Sequence, residues 1–465
     1  MKLRILVIYL IIALGWCTMA YSNQINTESQ TAEISLNPQE RILILAPHPD
    51  DEILGCGGII QEAVKRNLPL KIVFLTYGDN NQWSFMVYRK RFVLIPAAVR
   101  RMGLIRHDEA IAAAGELGVP PENLIFLGYP DFRTLEMWYA HWGSRPAIKS
   151  MLTRVRAVPY KNAFLPGAPY KADSILDNLK TIIREFRPTK IFLSHPADHN
   201  PDHRSLYLFT RIALWDLENE IQPQIYPYLI HFKKWPLPKG YQPDSQLEPP
   251  VFFQDKVTWQ VYNLTPEKIN RNYLAIQKHK SQYKSSPKYL VSFIRPNQLF
   301  GDFPIVALQN KGNYVQLTSE RKDILKEAPN ELLDEERASF VGIEEDTVYL
   351  ENDEIVFSIK LSRPLAEEVS VSLFVFGYKK NRDFSVMPKI HIKFGTLKHA
   401  ILDQDTRLPN NSINVIRKPK EITLRVPLKL LDNPQYILTS VRTYTTMVPL
   451  DWVSWRILSL PDSIQ

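Results

Sequence analysis

Ile42 to Ala46 is an unbroken apolar run that stops at Pro47, and directly beyond it stand His48, Asp50, Asp51 and Glu52. An apolar run without polar alternation reads as a strand covered on both faces, which requires a sheet with helices on either side. The polar cluster then lies at the sheet's carboxyl edge, on the turn into a helix beginning near Glu52. Acidic residues in such a place often do no more than cap a helix and favour its dipole. A histidine at the strand's end and two prolines fixing the turn shift the reading to a divalent cation, held by His48 and one of the aspartates.

The following segments build outward from this strand. A helix through about Arg66 and a second apolar strand, Leu70 to Thr76, complete a right-handed parallel unit. Gly55, Gly57 and Gly58 do not have the spacing of a dinucleotide fingerprint, and the acidic run before them would repel a pyrophosphate. Asn80 to Gly103 reads as a long aromatic and basic excursion, with Trp83, Phe85 and Tyr88, that lines or covers the site. A helix from Arg106 to Leu117, a strand Leu124 to Leu127 and a loop at Gly128 to Asp131 bring Asp131 to the same rim as His48. The second cluster, SHPADHNPDHR, follows the strand Lys190 to Leu193 and holds His195, His199 and His203 with Asp198 and Asp202 between them. Pro196 and Pro201 argue against one helix presenting all three imidazoles, so the segment reads as a loop giving way to helix near Pro201, with His203 in the first turn. Two such clusters on strand ends of one sheet make a metal site. Two histidines and one carboxylate leave zinc an open position for water, and the remaining aspartate of the Asp50-Asp51 pair is free to act as base.

APHPDDEILGCGG, with LGYPD and HPADHNPDHR downstream, is similar to the PIG-L/LmbE-like family of zinc-dependent de-N-acetylases over roughly residues 40 to 300. The resemblance implies a Rossmann-like α/β fold with a mostly parallel sheet and removal of acetyl groups from N-acetylglucosaminyl substrates. It implies His48, Asp51 and His203 as ligands of Zn²⁺, for which Fe²⁺ is an alternative on the same donors, and Asp50 as the base. Arg106 and Asp131 match positions that contact the sugar. One departure stands out. Many members read H-P-D-H, whose first histidine stabilises the tetrahedral intermediate or protonates the leaving amine, whereas this chain has Asn200 there. An asparagine donates a hydrogen bond to an oxyanion and cannot transfer a proton. His199, His195 and His231 are the candidate acids in its place, with Asp50 as a shuttle the alternative. A glycan-binding protein with an inactive deacetylase-like domain, and a metal-dependent hydrolase of another amide or ester, are the competing readings.

At 465 residues the chain is too long for one core. Residues 1–20 read as a signal peptide: a basic start, an apolar run from Ile5 to Trp16, and small residues ahead of a cleavage point after Ala20. The expectation is an exported protein, periplasmic or extracellular, with no stable membrane span after cleavage. Cys56 is then the sole cysteine, and no internal disulfide forms. The balance of 57 basic against 49 acidic residues, without a basic run interleaved with aromatics, gives no argument for nucleic acid. The expected partner is an amino sugar or glycan. The α/β domain should span 34–310, followed by a charged linker over 311–335. Beyond it Ile355, Phe357, Ile359 and Leu361, and Ile422, Leu424, Val426, Leu428 and Leu430, alternate with polar residues. That pattern predicts an all-β sandwich over 336–465, a candidate carbohydrate-binding module with Trp452 and Trp455 as candidate platforms for sugar rings.

Overall fold

The computed structural model describes residues 32–80, 87, 95–253, 256–308, 314–319, 337, 340–396, 398–445 and 448–461. The leader, Trp83, Phe85, Tyr88 and most of the linker lie outside the described residues. After a short β1 (Ala32–Glu33), the apolar run forms β2 (Ile42–Ala46), buried at every position. There follow α1 (Asp51–Lys65), β3 (Leu70–Thr76), α2 (Pro96–Glu116) and β4 (Leu124–Tyr129). Next come α3 (Thr134–Ala140), α4 (Ala172–Phe186), β5 (Lys190–Ser194), α5 (Pro201–Asp216) and β6 (Gln224–Tyr228). The strands lie in the order β4-β3-β2-β5-β6, all parallel. From β2 the chain runs outward through β3 and β4 and then returns to β5 on the other flank. This reversal opens a crevice at the carboxyl ends of β2 and β5, where ligands bind in open α/β sheets. His48 follows one of these strands and the second histidine cluster follows the other.

Several elements differ from the sequence reading. The helix expected from Arg106 begins at Pro96, since proline suits a first turn whose N–H has no partner to lose. Further on, helices α6 (Pro266–Ile276) and α7 (Lys280–Ser285) are separated by a break at His279, with a short α8 (Pro287–Leu290) beyond. A small sheet of β1 with β7 (Thr258–Asn263) and β8 (Asn297–Asp302) was not expected. Gly55 of α1 lets the helix approach the sheet, since a Cβ there would lie 2.6 Å from the Tyr228 ring.

The carboxyl-terminal part is a two-sheet sandwich. Its strands are β9 (Val306–Ala307), β10 (Val315–Leu317), β11 (Ile343–Glu351), β12 (Glu354–Leu361), β13 (Val369–Tyr378) and β14 (Lys389–Phe394). They continue with β15 (His399–Asp403), β16 (Thr406–Leu408), β17 (Asn414–Lys418), β18 (Glu421–Pro427), β19 (Tyr436–Thr445) and β20 (Val448–Ser459). One sheet runs β10-β11-β12-β18-β17 and the other β16-β15-β14-β13-β19-β20-β9. Strand β10 thus falls inside the stretch read as linker, and β9 lies ahead of it. The alternating residues of β12 and β18 meet Val371, Leu373 and Val375 in the inter-sheet core. Leu428 and Leu430, expected to extend β18, lie in a 3₁₀ turn after Pro427.

Strand β13 is covered on its other face as well. Phe374, Phe376 and Tyr378 share a core with the α/β domain. Tyr139 stacks on Phe374 at 4.4 Å, Trp138 on Phe384 at 5.5 Å and Trp215 on Tyr436 at 4.6 Å. Trp455 is part of this shared core at 3% exposure, so it is not available as a sugar platform. Among the described residues no helix is long and apolar enough to cross a membrane.

Candidate active site

The turn after β2 carries a strained residue. Asp50, the N-cap of α1, has φ 124° and ψ −31°, a conformation that L-residues rarely adopt and that persists only where the surroundings impose it. Its N–H donates to Glu52 Oε2 at 2.8 Å, and the other oxygen of Glu52 is 2.9 Å from His279 Nε2 at the break between α6 and α7. Arg106, buried on α2, donates to the carbonyls of Pro49 at 2.6 Å and Gly78 at 2.8 Å, and its Nη2 reaches Asp50 Oδ2 at 3.4 Å. Gly78 has φ 62°, and a Cβ there would lie 2.1 Å from Arg106 Nη1, so only glycine lets the guanidinium pass.

His48, Asp51 and His203 converge beside this turn, their ligand atoms all within 4.8 Å of one another. His48 Nδ1 is 3.1 Å and His203 Nε2 3.0 Å from the same oxygen, Asp51 Oδ2. The outward nitrogen of each ring meets a further carboxylate. His48 Nε2 is 3.2 Å from both Asp202 Oδ2 and Asp131 Oδ1, and His203 Nδ1 is 3.0 Å from Asp198 Oδ2. A carboxylate at the outer nitrogen holds the N–H there and turns the other lone pair inward, the arrangement that metal-binding histidines use. These carboxylates are themselves anchored. Asp202 accepts from Phe132 N at 2.6 Å, Thr134 N at 3.2 Å and the Thr134 hydroxyl, and Asp198 accepts from Ile230 N at 3.1 Å and His231 N at 2.9 Å.

The electrostatics agree with a cation site. Burial pushes the Asp51 carboxyl up, but the His203 and His48 imidazoles outweigh it and hold the group well below the usual carboxylate range. Burial lowers His203, yet Asp198 and Asp51 raise it to about 9, so the pocket draws positive charge. The donor set fits a divalent ion of zinc type, with two imidazole nitrogens and one carboxylate oxygen. Two other groupings, Asp198-His203-His231 and His48-Asp131-Asp202, are also close enough in space. Each would take from a ligand histidine the carboxylate that orients it.

A cavity of about 240 Å³ opens onto this cluster and is lined by Asp50, Arg106, Asp131, Asn200 and His231 as well as His48 and Asp51. Asp50 faces it with a pKa raised to about 7, mainly by burial and partly offset by Arg106. Asn200 lines the cavity and caps α5, its Oδ1 accepting from Asp202 N at 2.9 Å and its NH₂ not engaged in the cap. His231 lies 4.8 Å from the His203 ring with Nδ1 3.1 Å from the Tyr289 hydroxyl, and burial lowers its pKa to about 4. Asp131, expected as a sugar contact, also faces His48, while its Oδ2 accepts from Asn80 N at 2.8 Å.

Two expected acids are elsewhere. His195 is fully buried, with its ring against Phe253, Trp259 and Phe303, its Nδ1 accepting from Ala197 N at 3.0 Å, and its pKa lowered to about 3 by burial. His199 packs its ring on Phe232 and Trp452 and does not line the cavity. Sequence reasoning gave Asp198 and Asp202 no role, although their alternation with the histidines was visible. It also missed Phe132, His279 and Tyr289, whose only signal is their place in space.

Residues 43–214, from β2 into α5, match the family described as GlcNAc-PI de-N-acetylase, PIG-L. Over 222 residues, 44% of this chain, the sequence is 27% identical to a 1D-myo-inositol 2-acetamido-2-deoxy-alpha-D-glucopyranoside deacetylase of Kribbella flavida, and the match spans 61% of that protein. It is 29% identical over 177 residues to a probable N-acetyl-alpha-D-glucosaminyl L-malate deacetylase 2 of Bacillus anthracis, covering 36% of this chain and 72% of the relative. Among solved structures, N,N'-diacetylchitobiose deacetylase from Pyrococcus horikoshii matches 54% of this chain and 75% of its own, at 18% identity and a TM-score of 0.33. The chain therefore spans less than two thirds of the Kribbella relative's length. The matched segment carries the polar turn after β2 and the histidine cluster after β5, and over it the chain carries a PIG-L family domain.

Proposed function

We propose that this protein is an exported, metal-dependent de-N-acetylase that hydrolyses the acetamide of an N-acetylglucosaminyl substrate to acetate and a free amine. The observation that carries this reading is the pairing of an inward-facing His48-Asp51-His203 set with a separate carboxylate, Asp50, in one cavity. The names of the relatives support the substrate class, and the basic and apolar leader supports export. His48, Asp51 and His203 would hold Zn²⁺, or Fe²⁺ on the same donors. When bound, such an ion acidifies water and polarises the acetyl carbonyl.

The chain's own groups do the rest. Asp50 takes the proton of the attacking water, which a carboxylate with a pKa near 7 does well at neutral pH. The Asn200 NH₂ donates to the carbonyl oxygen as charge develops there. Asn200 has no proton to give, and His231 at about 4 is mostly neutral, so Asp50 passes the proton on to the leaving nitrogen as the C–N bond breaks. Arg106 and Asp131 offer polar partners to the sugar hydroxyls.

The test is acetate release from N-acetylglucosaminyl conjugates by the zinc-loaded mature protein, beside Asp50→Asn. The variant should keep stoichiometric metal, lose about 10²–10⁴-fold in kcat, and lose the rise in activity through pH 7 that ionisation of Asp50 gives. Wild-type turnover by a fully metallated variant would reassign the base. No acetate from any N-acetylated amino sugar would favour a glycan-binding role.

A further inference from the structure

Phe132 stands at the mouth of the cavity with 46% of its surface exposed and its ring centroid 6.3 Å from that of His48. Its backbone φ is 62°, in the left-handed region that strains any residue with a Cβ and that glycine adopts freely. What the fold takes from this position is the backbone N–H, which donates to Asp202 Oδ2 at 2.6 Å. Glycine would supply the same bond without strain. A ring this exposed also adds little to the core. A strained residue at the rim of a site, carrying a side chain that the fold does not use, points to a function for that side chain.

We propose that Phe132 is a substrate-binding platform on which the apolar C–H face of a pyranose ring stacks. The inference rests on the deacetylase reading and adds to it what the rim of the cavity recognises. A scissile acetamide must reach the floor formed by His48, Asp51 and His203, beside Asp50 and Asn200. The group passing Phe132 at the mouth is then the ring that bears the amide, not the acetyl methyl. Arg106 and Asp131 line the same cavity and suit the ring's hydroxyls, while a flat apolar surface suits its C–H face. A pyranose presents both kinds of surface, and an acyclic N-acetyl amine does not.

The experiment compares Phe132→Gly and Phe132→Trp with the wild type in the full zinc-loaded chain. Phe132→Gly relieves the strain and keeps the N–H bond, so its Tm should equal or exceed that of the wild type at unchanged metal content. Its KM for an N-acetylglucosaminide should rise about tenfold, the scale of one good aromatic contact, with the smaller part of the effect on kcat. Phe132→Trp should restore KM. For an acyclic N-acetyl amine the glycine variant should lose far less. An unchanged KM for the sugar, or an equal loss for both substrates, would overturn the platform, the latter by placing Phe132's role in the support of His48. Should the wild type release no acetate from any substrate, the reading of the reaction fails, and saturation-transfer NMR with N-acetylglucosamine then decides the inference alone. Sugar contact in the wild type that is lost in Phe132→Gly would support it, and no contact in either, or equal contact in both, would overturn it.

Discussion

Replacing Asp202 by asparagine should weaken metal binding although Asp202 is not assigned as a ligand. In the native protein its Oδ1 serves Thr134 N and the Thr134 hydroxyl, and its Oδ2 faces His48 Nε2 at 3.2 Å and Phe132 N at 2.6 Å. In Asp202→Asn the amide oxygen can stay with Thr134 only if the NH₂ faces His48 Nε2 and Phe132 N–H. The imidazole can meet a donor only by giving up its Nε2 proton and carrying it on Nδ1, the atom that faces Asp51 at 3.1 Å. A metal must then displace that proton.

Asp131 Oδ1 lies 3.2 Å from the same Nε2 and offers a partial substitute. The single variant should therefore bind Zn²⁺ about tenfold more weakly and the double variant Asp131→Asn/Asp202→Asn about a hundredfold, the range known for outer carboxylates on metal-bound histidines. These factors correspond to about 1.4 and 2.7 kcal/mol. The lost acceptor for the Phe132 N–H adds about 1–3 kcal/mol of fold destabilisation, so Tm has to be followed separately. Competition against a chromophoric chelator, on metal-stripped protein checked by circular dichroism, measures the affinity. Wild-type Kd in both variants would refute the orienting role. A loss beyond about a thousandfold in the single variant, well outside the range for an outer carboxylate, would make Asp202 a ligand.

Further outcomes follow from the core and from one buried carboxylate. Trp455→Ala should destabilise by about 3–5 kcal/mol and lower a single thermal transition, because Trp455 packs against Trp138 of the α/β domain at 6.2 Å. Separate transitions, with the α/β one unmoved, would refute the shared core. Asp346 is buried in the sandwich with its pKa pushed up to about 8 by burial, Arg456 offsetting part of the shift from 3.8. Between those values the folded state holds a proton that the unfolded state has released, so stability falls as pH rises from about 4 through 8. Asp346→Asn removes this contribution, and its Tm should gain on the wild type between pH 5 and pH 9. Parallel Tm profiles would refute it.

The parts of the site that were legible in sequence are those with local causes. The length of the apolar run set β2, Pro201 set the start of α5, and the charges beside each strand end set the chemistry. What was not legible depends on strand order. The bond from His48 Nε2 to Asp202 spans 154 residues and exists only because β5 returns beside β2. His203 stands apart by its place in the first turn after Pro201, but His195 and His199 look equivalent to each other in SHPADHNPDHR. They are separated by packing: β7 and its neighbours bring Trp259 and Phe253 against His195, and weak alternation in Thr258–Asn263 concealed that strand. The sandwich was legible from its period of two. That it would be covered on an outer face was written only in β13, VSVSLFVFGY, which is apolar on both sides.

This covering ties the sandwich to the chemistry. The loop from His195 to Asn200 is fixed on one side by β6 and the residues after it, through His195 N to Tyr228 O at 2.8 Å and His199 N to His231 O at 2.8 Å. On the other side the edge of Trp452 meets the His199 ring at 5.0 Å, and the Arg456 guanidinium lies 3.2 Å over Phe303, whose ring packs on His195 at 4.9 Å. Both residues come from β20. A neutral amide such as Asn200 stabilises a developing oxyanion only as far as it is held where that charge appears, because a donor that must reorganise gives back most of its advantage. An imidazolium in its place would tolerate looser placement, since charge attracts over a longer range than a hydrogen bond. On the proposed reading, Asn200 in place of the histidine that many members of the resembled family carry would place a stricter demand on this loop, and the rings of the docked sandwich pack against the side that β6 leaves open.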